Sequence, residues 1–445
     1  LNALIPLVAR PVLQAAAAAV VGAEAALALG SFVAVLVLFA IPVTLLGCVS
    51  PFAIRLAIQH PADAGRISGQ IYAVSTLGSL LGTFLPVLIL IPQLGTTRTF
   101  LVFAAVLYVV GFMGLWRYDA RRYALRWAWM PVIAGLLAIW ALNGPLRSPV
   151  DGSTLLYDDE SAYNYIQVIE DEDGFRDLLL NEGQGVHSRY HPDIYTYGGT
   201  WELFLAAPYF NASPFSPDDV ESLLVIGLAA GTIPRQYIHV YGDIPIDGVE
   251  IDPGIVDAAA QYFEMNETFM PSLDVYVQDG RYVLNQLDKQ YSVIAIDAYR
   301  PPYIPWHLTT VEFFQEVQAH LLPDGVVAVN VGRTSTDRRL VDAMARTLAE
   351  VFPTVHAIDV PRAFNTILVA TMQPTDVTNL DINLQQLDAD TSNTLLYGAL
   401  TTARDYTVPV EYGEIVFTDD HAPVESLVDA LVLNFLLNGN LEEIR

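Results

Sequence analysis

The sequence predicts an α-helical membrane region followed by a soluble α/β domain with a doubly wound, mostly parallel sheet. A split in charge, long apolar runs before residue 150 and an alternation of apolar strands with helices after residue 220 support this prediction. The chain has 445 residues, 53% of them hydrophobic, and a net charge of −27. A chain that is both this apolar and this acidic is expected to consist of two parts with different compositions.

The charge divides at about residue 150. Residues 1–150 contain nine Arg, no Lys and three acidic residues, a net charge of +6. Residues 151–445 contain 13 basic and 46 acidic residues, a net charge of −33, which argues against nucleic-acid binding. Such a surface suits a cationic small molecule, although solubility through mutual repulsion explains it more simply. The single cysteine, Cys48, excludes disulfides within the chain.

Residues 1–145 are interpreted as a transmembrane helical region with five apolar segments, near 2–22, 29–49, 71–92, 97–117 and 127–143. The second to fourth have the length of roughly 20 residues that a membrane span needs. We therefore expect a multi-pass protein of the cell membrane, with lipids among its partners. Arginine-rich loops after the second and fourth segments face the cytoplasm by the positive-inside rule. The soluble domain is then outside the cell if residues 127–143 span, and inside if they lie at the interface.

A small β-hairpin region is expected over residues 154–218, because two alternating stretches flank an EDEDG turn. Residues 219–445 are expected to form one α/β domain. Its predicted elements are strand 223–227, helix 232–241, strands 245–250, 274–278 and 292–297, helix 309–321, strand 325–331, helix 338–352 and strands 354–360 and 365–371. Residues 375–418 are predicted to be irregular, and Asp419 or Asp420 is predicted to cap a last helix.

Candidate ligand-binding residues follow the predicted strands, because ligands of such sheets bind at the carboxyl ends of the strands. The strand at 223–227 leads into GLAAG, where Gly227 and Gly231 let the backbone approach a ligand closely. Glu250 ends the next strand, and its carboxylate can either accept hydrogen bonds from two hydroxyl groups of a ligand or lie at the start of the following helix. Asp279 and Asp297 follow two further strands, and each also has a structural explanation, as an Asp–Gly turn and a strand-end cap.

The order of these motifs resembles the class I methyltransferase fold and, more narrowly, the spermidine synthase (polyamine aminopropyltransferase) family in its bacterial form fused to membrane helices. The resemblance covers most of residues 155–375 and extends to the membrane stretch LLGCVSPFAIRLAI. It implies that Glu250 binds the ribose, that Asp279 receives the adenine amino group and that Asp297 takes a proton from the attacking amine. The cofactor-binding set that it implies is Gly227, Gly231, Glu250, Asp279 and Gly280. Gln184 and Tyr163 match its substrate-side hairpin.

Several positions depart from that family. Ala230 stands where the family has an acid in the glycine loop, and Arg300 stands where it has a second acid near the base. YTYGGTW lacks the family's His–Glu pair. A diamine needs carboxylates at both ends, and Arg300 repels a cation. His307, Asp419, Asp420 and His421 form a different site in one interpretation and are structural in another.

Two functions follow from these observations. The first is a membrane-anchored, spermidine synthase-like transferase that moves an aminopropyl group from decarboxylated S-adenosylmethionine to a polyamine or other amine, with methyl transfer from S-adenosylmethionine as a variant. We expect no tightly bound cofactor, since the sulfonium compound is a co-substrate, and no metal site. The second is a catalytically degenerate domain that acts as a scaffold or accessory subunit of a membrane complex. We expect the transferase to form a homo-oligomer, and we expect the scaffold to bind another subunit of a membrane complex.

Overall fold

The computed structural model describes residues 2–5, 8, 9, 12, 26–117, 121–142, 149, 152–181, 185–299, 303–387 and 394–438. The chain divides into two compact units, the first comprising residues 1–148 and 160–163 and the second residues 149–159 and 164–445. The domain boundaries expected from the sequence, at residues 145 and 219, stay predictions.

The described part of the first unit is mostly helical. Its helices are α1 (Ala26–Gly47), α2 (Val49–Ala57), α3 (Ala64–Leu85), α4 (Ile91–Arg117), α5 (Arg121–Arg126) and α6 (Met130–Leu142). A π-helical turn joins α3 to α4, which is kinked where Gly95 adopts a φ of +77°. Two stretches, Val33–Ala57 and Pro61–Arg117, are long and apolar enough to cross a membrane by length and composition. Most of the predicted run 2–22 lies outside the described residues.

Large apolar side chains on these helices are exposed within the unit. Leu56 is 81% exposed, Tyr72 75% and Val110 65%. No residue of α3, a helix described over its whole length, is buried. A helix that is apolar on all sides is usually buried in a large core or in lipid, and the described residues of this unit form no such core around α3.

The second unit begins with a four-stranded sheet. Its strands are β1 (Thr154–Glu160), β2 (Tyr165–Glu170), β3 (Arg176–Leu180) and β4 (Ser188–Tyr190), in that order. β2 and β3 are antiparallel and pair from Ile166 with Leu180 to Glu170 with Arg176. The turn that joins them contains the EDEDG stretch, so the expected hairpin is present.

The larger sheet has eight strands. They are β5 (Leu223–Ile226), β6 (Ile246–Glu250), β7 (Leu273–Val277), β8 (Tyr291–Ile296), β9 (Leu321–Gly332), β10 (Thr354–Asp359), β11 (Asn365–Thr371) and β12 (Thr407–Val408). Their order is β12-β10-β11-β9-β8-β5-β6-β7. The strands from β9 to β7 are parallel, whereas β11 runs antiparallel between β9 and β10. This is a doubly wound sheet with a parallel centre, and the class I methyltransferase-like α/β fold is confirmed.

Two buried clusters flank this sheet, because successive side chains of the fully buried central strands point to opposite faces. The helices of this unit are α7 (Trp201–Ala206), α8 (Thr232–Tyr241), α9 (Pro253–Tyr262), α10 (Gly280–Leu284), α11 (Val311–Ala319), α12 (Arg339–Leu348), α13 (Thr378–Gln386), α14 (Thr394–Tyr406) and α15 (Val424–Asn438). Leu223 and Val225 of β5 pack in one cluster, whereas Leu224 and Ile226 pack in the other.

Two expectations about the C-terminal region were wrong. Residues 375–418 contain α13, which buries Leu380 and Leu384, and α14, whose apolar face buries Leu395, Leu396, Ala399, Leu400 and Ala403. The last helix begins at Val424, so neither Asp419 nor Asp420 caps it. Asp419 is instead drawn into an ion pair with an arginine on another element, which competes with the capping role.

Candidate active site

Four neighbouring parallel strands of the large sheet end at one edge, and four of the predicted site residues lie there. Following the strand order β8, β5, β6 and β7, these residues are Asp297, Gly227, Glu250 and Asp279. From β5, the chain first continues to β6 and β7 on one side of the sheet and then crosses back to β8 and β9 on the other side. Ligands of open α/β sheets bind at such a switch point, outside the carboxyl ends of the strands.

Two glycines shape the loop between β5 and α8. Gly227 has a φ of +91°, and a Cβ there would lie 2.4 Å from the carbonyl oxygen of Asp297. Gly231 has a φ of +80°, and a Cβ there would lie 2.9 Å from the sulfur of Met265. Gly227 therefore permits the close contact between this loop and the end of β8.

The backbone N–H groups of this loop are bonded within the protein. Gly227 and Leu228 donate to the Val249 carbonyl at 3.0 and 2.9 Å, and Gly231 donates to the Leu228 carbonyl at 3.0 Å. These three bonds tie the loop to the end of β6 and close it on itself.

The remaining two loop N–H groups are bonded to side chains. Ala229 donates to Glu250 Oε2 and Ala230 to Ser188 Oγ, each at 2.9 Å. A phosphate-binding loop presents free N–H groups to its ligand. All five N–H groups from residue 227 to residue 231 are occupied here, so this loop does not offer a phosphate cradle. Ser188 carries no motif and was not among the predicted residues.

The Glu250 carboxylate is buried, with the residue 8% exposed. Its Oε2 accepts from Ala229 N and its Oε1 accepts from Asp252 N at 3.1 Å. Burial raises the pKa of Glu250, whereas these hydrogen bonds lower it. The helix-start role belongs to Asp252, which accepts from Gly254 N and caps α9. Since a carboxylate oxygen accepts more than one hydrogen bond, Glu250 retains capacity for two further donors.

Asp279 and Gly280 form the turn from β7 into α10. Asp279 Oδ1 accepts from Tyr282 N at 3.0 Å and thereby caps the helix, and its Oδ2 lies 2.8 Å from His307 Nε2. The hydrogen bond with His307 lowers the pKa of the Asp279 carboxyl. A Cβ on Gly280 would lie 2.4 Å from Ile226 Cγ2, so only glycine fits there without a shift. The Asp–Gly turn that the sequence predicts is therefore present, and the Asp279 carboxylate also contacts His307.

The surroundings of the Asp297 carboxylate suit the role of a general base. Its Oδ1 accepts from Asn330 Nδ2 at 2.8 Å, and Asn330 Oδ1 accepts from Asn365 Nδ2 at 2.9 Å. Burial raises the pKa of Asp297 to about 6, and the bond from Asn330 opposes that rise. A carboxylate with a pKa in this range is a competent base near neutral pH.

The sequence prediction missed both asparagines. Asn330 is a polar residue inside the apolar run GVVAVNV. Its place near the end of a predicted strand is a signal from which the sequence could have identified it. Asn365 lies at this edge because β11 is antiparallel to β9 and begins where β9 ends, with Asn365 opposite Gly332.

Three predicted residues have no role that the structure describes. Gln184 and Arg300 lie outside the described residues. Tyr163 lies in the turn between β1 and β2, is 47% exposed and donates its N–H to Ser161 Oγ at 3.1 Å. Their roles stay predictions. Ala230, where the family has its loop acid, is 2% exposed and packs in the core, so this position does not face a ligand.

A partly buried arginine contacts the segments that carry His307 and Asp419. Arg281, whose side chain is 17% exposed, makes bidentate pairs with Glu316 at 2.8 and 2.6 Å and with Asp419 at 2.8 and 2.9 Å. It also donates to the His307 carbonyl at 3.2 Å, and Thr310 Oγ1 donates to Asp419 at 2.7 Å. These ion pairs raise the pKa of Arg281.

Of the four residues of these motifs, the structure thus brings His307 and Asp419 to α10, directly after Asp279. Asp420 and His421 are exposed, in the turn that a bridge between Thr418 and His421 closes.

Comparisons with known proteins agree with this arrangement. A spermine/spermidine synthase domain model matches residues 215–381. A probable polyamine aminopropyl transferase of Bifidobacterium longum is 31% identical over 301 residues, which cover 63% of this chain and 65% of that protein. The polyamine aminopropyltransferase of Vibrio vulnificus is 30% identical over 266 residues, which cover 57% of this chain and 84% of that protein. An N-terminal histidine N-methyltransferase of Emericella nidulans is 33% identical over 230 residues, 48% of this chain and 40% of that protein.

The matched range 215–381 contains the glycine loop, the three strand-end acids and both asparagines. The alignment with the Vibrio protein covers most of that protein's own length. The chain therefore belongs to the spermine/spermidine synthase family.

Proposed function

We propose that this protein is a membrane-anchored aminopropyltransferase, which moves the aminopropyl group of decarboxylated S-adenosylmethionine to a polyamine or another amine. The observation that carries the proposal is Asp297, held by Asn330 beside the glycine loop, with a pKa raised to about 6. A carboxylate kept only as part of a scaffold does not need surroundings that disfavour its charged form.

The edge of the sheet suits the nucleoside part of the donor. Glu250 has acceptor capacity for the two ribose hydroxyls, and Asp279 is an acceptor for the adenine amino group. Ile251 follows Glu250 and is 41% exposed, so it offers apolar surface to the base. The occupied N–H groups of the loop favour a nucleoside over a nucleotide, because a phosphate finds no free donors there.

In the reaction, the amine nitrogen attacks the methylene carbon next to the sulfonium sulfur. A C–N bond forms, the C–S bond breaks with its electron pair going to sulfur, and methylthioadenosine leaves. The nitrogen must shed one proton, and Asp297 accepts it. Because the pKa of Asp297 is about 6, the carboxylate is ionised and ready at neutral pH.

Anchoring in the membrane is supported by the two long apolar stretches and by their exposed side chains. We further propose that residues 127–143 lie at the membrane interface and that the soluble unit is on the cytoplasmic side, where an intracellular donor is available. Protease protection of the soluble unit in sealed inside-out and right-side-out vesicles tests this placement, since cleavage only in inside-out vesicles is expected.

Methyl transfer from S-adenosylmethionine is a second candidate, because the loop has no acid for an aminopropyl ammonium and the position of that acid, Ala230, is buried. A methyltransferase is also among the related proteins. The two candidates differ in the by-product, which is methylthioadenosine for one and S-adenosylhomocysteine for the other.

The deciding experiment incubates the full-length protein in detergent with each donor and a panel of mono-, di- and polyamines, and identifies the by-product by mass spectrometry. We expect methylthioadenosine from the decarboxylated donor and a loss of about 100-fold or more in Asp297→Asn. The matched control is Asp288→Asn, the same change at an exposed position. S-adenosylhomocysteine instead supports methyl transfer. No product, together with no calorimetric binding of methylthioadenosine, supports the scaffold.

A further inference from the structure

We propose that His307 is a specificity-determining positioning residue of the donor site, which holds the Asp279 carboxylate in the orientation that selects the amino group of adenine. This inference rests on the proposed donor and deepens it. His307 lies on the segment after β8, whereas Asp279 lies after β7, so the contact joins the ends of two strands that are not neighbours in the sheet.

The two oxygens of Asp279 are fixed by two different elements. Oδ1 accepts from the Tyr282 N–H of α10, and Oδ2 is paired with His307 Nε2 at 2.8 Å. The terminal torsion of an aspartate is broad, so one hydrogen bond alone leaves the plane of the carboxylate poorly defined. The second bond, from His307, defines that plane.

The fixed carboxylate discriminates by hydrogen-bond polarity. An ionised carboxylate only accepts hydrogen bonds, and it can accept more than the two described here. The amino group of adenine donates, whereas the oxygen at the same position of hypoxanthine accepts and repels the carboxylate. A site built to bond a donor rejects an analogue that lacks it, provided that the acceptor cannot turn away.

His307 is itself held in place by the partly buried Arg281. Arg281 donates to the His307 carbonyl, and Glu316 and Asp419 fix the guanidinium from two sides. This arrangement supplies the supporting shell that keeps a site residue within the narrow geometry that selectivity requires. Through Arg281, His307 and Asp419 therefore both support the donor site.

The experiment measures binding of methylthioadenosine and methylthioinosine to the full-length protein in detergent by calorimetry. These nucleosides differ at the 6-position that Asp279 faces in the proposal, amino against oxo, and at the adjoining N1, which accepts in adenine and carries a hydrogen in hypoxanthine. Wild type, His307→Ala and His307→Gln are compared, since glutamine retains an N–H donor near the position of Nε2. His421→Ala is the matched control, because that histidine is exposed on the neighbouring segment.

We expect His307→Ala to bind methylthioadenosine about tenfold more weakly, which is about 1.4 kcal/mol, and methylthioinosine with little change. The ratio of the two affinities therefore falls about tenfold in His307→Ala, recovers in His307→Gln and is unchanged in His421→Ala. A merely structural histidine would weaken both nucleosides together. An equal loss for both, or no loss, overturns this inference and leaves the proposed function standing.

Absence of binding by the wild-type protein overturns the proposed donor site and this inference with it. Thermal unfolding of each variant is recorded alongside. If His307→Ala does not fold, His307→Asn replaces it, because its shorter side chain does not reach Asp279 from the same backbone position. In that comparison we expect the ratio of the two affinities to fall in His307→Asn and to recover in His307→Gln, and an equal loss for both nucleosides overturns the inference.

Discussion

Neutralising Asp297 is expected to stabilise the folded protein while it removes activity. Burial raises the pKa of Asp297 to about 6, so the folded protein binds this proton more tightly than the unfolded chain does. The stability that the proton contributes is fully present below about pH 4 and is lost as the pH rises through about 6. Asp297→Asn suffers no such loss, and its amide oxygen still accepts from Asn330.

The size of the effect follows from the shift. A pKa near 6 in place of about 4 is a difference of about two units, or about 3 kcal/mol at 1.36 kcal/mol per unit. Because Asp297 is partly exposed, this value is an upper bound, and we expect Asp297→Asn to exceed the wild type by about 1–3 kcal/mol at pH 8. The advantage should shrink to near zero at about pH 4.

The assay is urea unfolding of the full-length protein in detergent, followed by tryptophan fluorescence at several pH values between about 4 and 8. Asp288→Asn makes the same chemical change on the surface and should stay within about 0.5 kcal/mol of wild type throughout. A difference between Asp297→Asn and wild type that does not change with pH refutes the reasoning. So does a variant that is less stable than wild type at pH 8.

Three further outcomes are expected. Asn330→Ala removes the hydrogen bond that lowers the pKa of Asp297. The pKa on the acidic side of the pH profile of kcat/KM, which reports this base, should therefore rise by about one unit, and an unchanged profile contradicts the role of the Asn330 amide. Gly227→Ala should cost at least about 2 kcal/mol more in unfolding than Gly242→Ala, because both have a positive φ but only the Cβ at 227 meets backbone, and equal losses contradict this. Glu250→Gln turns an amide NH₂ toward one of two N–H donors and should weaken methylthioadenosine binding about tenfold or more by calorimetry; unaltered affinity removes Glu250 from the ribose site.

Strands and their ends could be predicted well because the signal is local. The strand over residues 365–371 and the helix over 232–241 have the bounds expected from apolar runs and glycine turns. Helix α13 was missed because Leu380 and Leu384 are its only buried apolar residues and most of its other residues are polar. Helix α14 does show a helical apolar spacing, which the sequence prediction overlooked, at Leu395, Leu396, Ala399, Leu400 and Ala403.

The strand-end acids were predictable for the same reason, since parallel strands bring their carboxyl ends to one edge. The partners of those acids were not, because they come from far along the chain. Ser188 reaches the loop across 42 residues, and Asp419 reaches Arg281 across 138. A single sequence gives no measure of such pairings, so the contacts of Asn330 with Asp297 and of His307 with Asp279 emerge only from the folded chain.

The reversed direction of β11 sets a lower limit on how far this domain can be shortened. A fragment ending at Gly332 would retain the glycine loop and every strand-end acid, and by motif it would look complete. It would lack Asn365, the residue that β11 delivers to the same edge and that occupies Asn330 Oδ1. Any engineered minimal version must therefore extend through Thr371, or supply another donor for that amide.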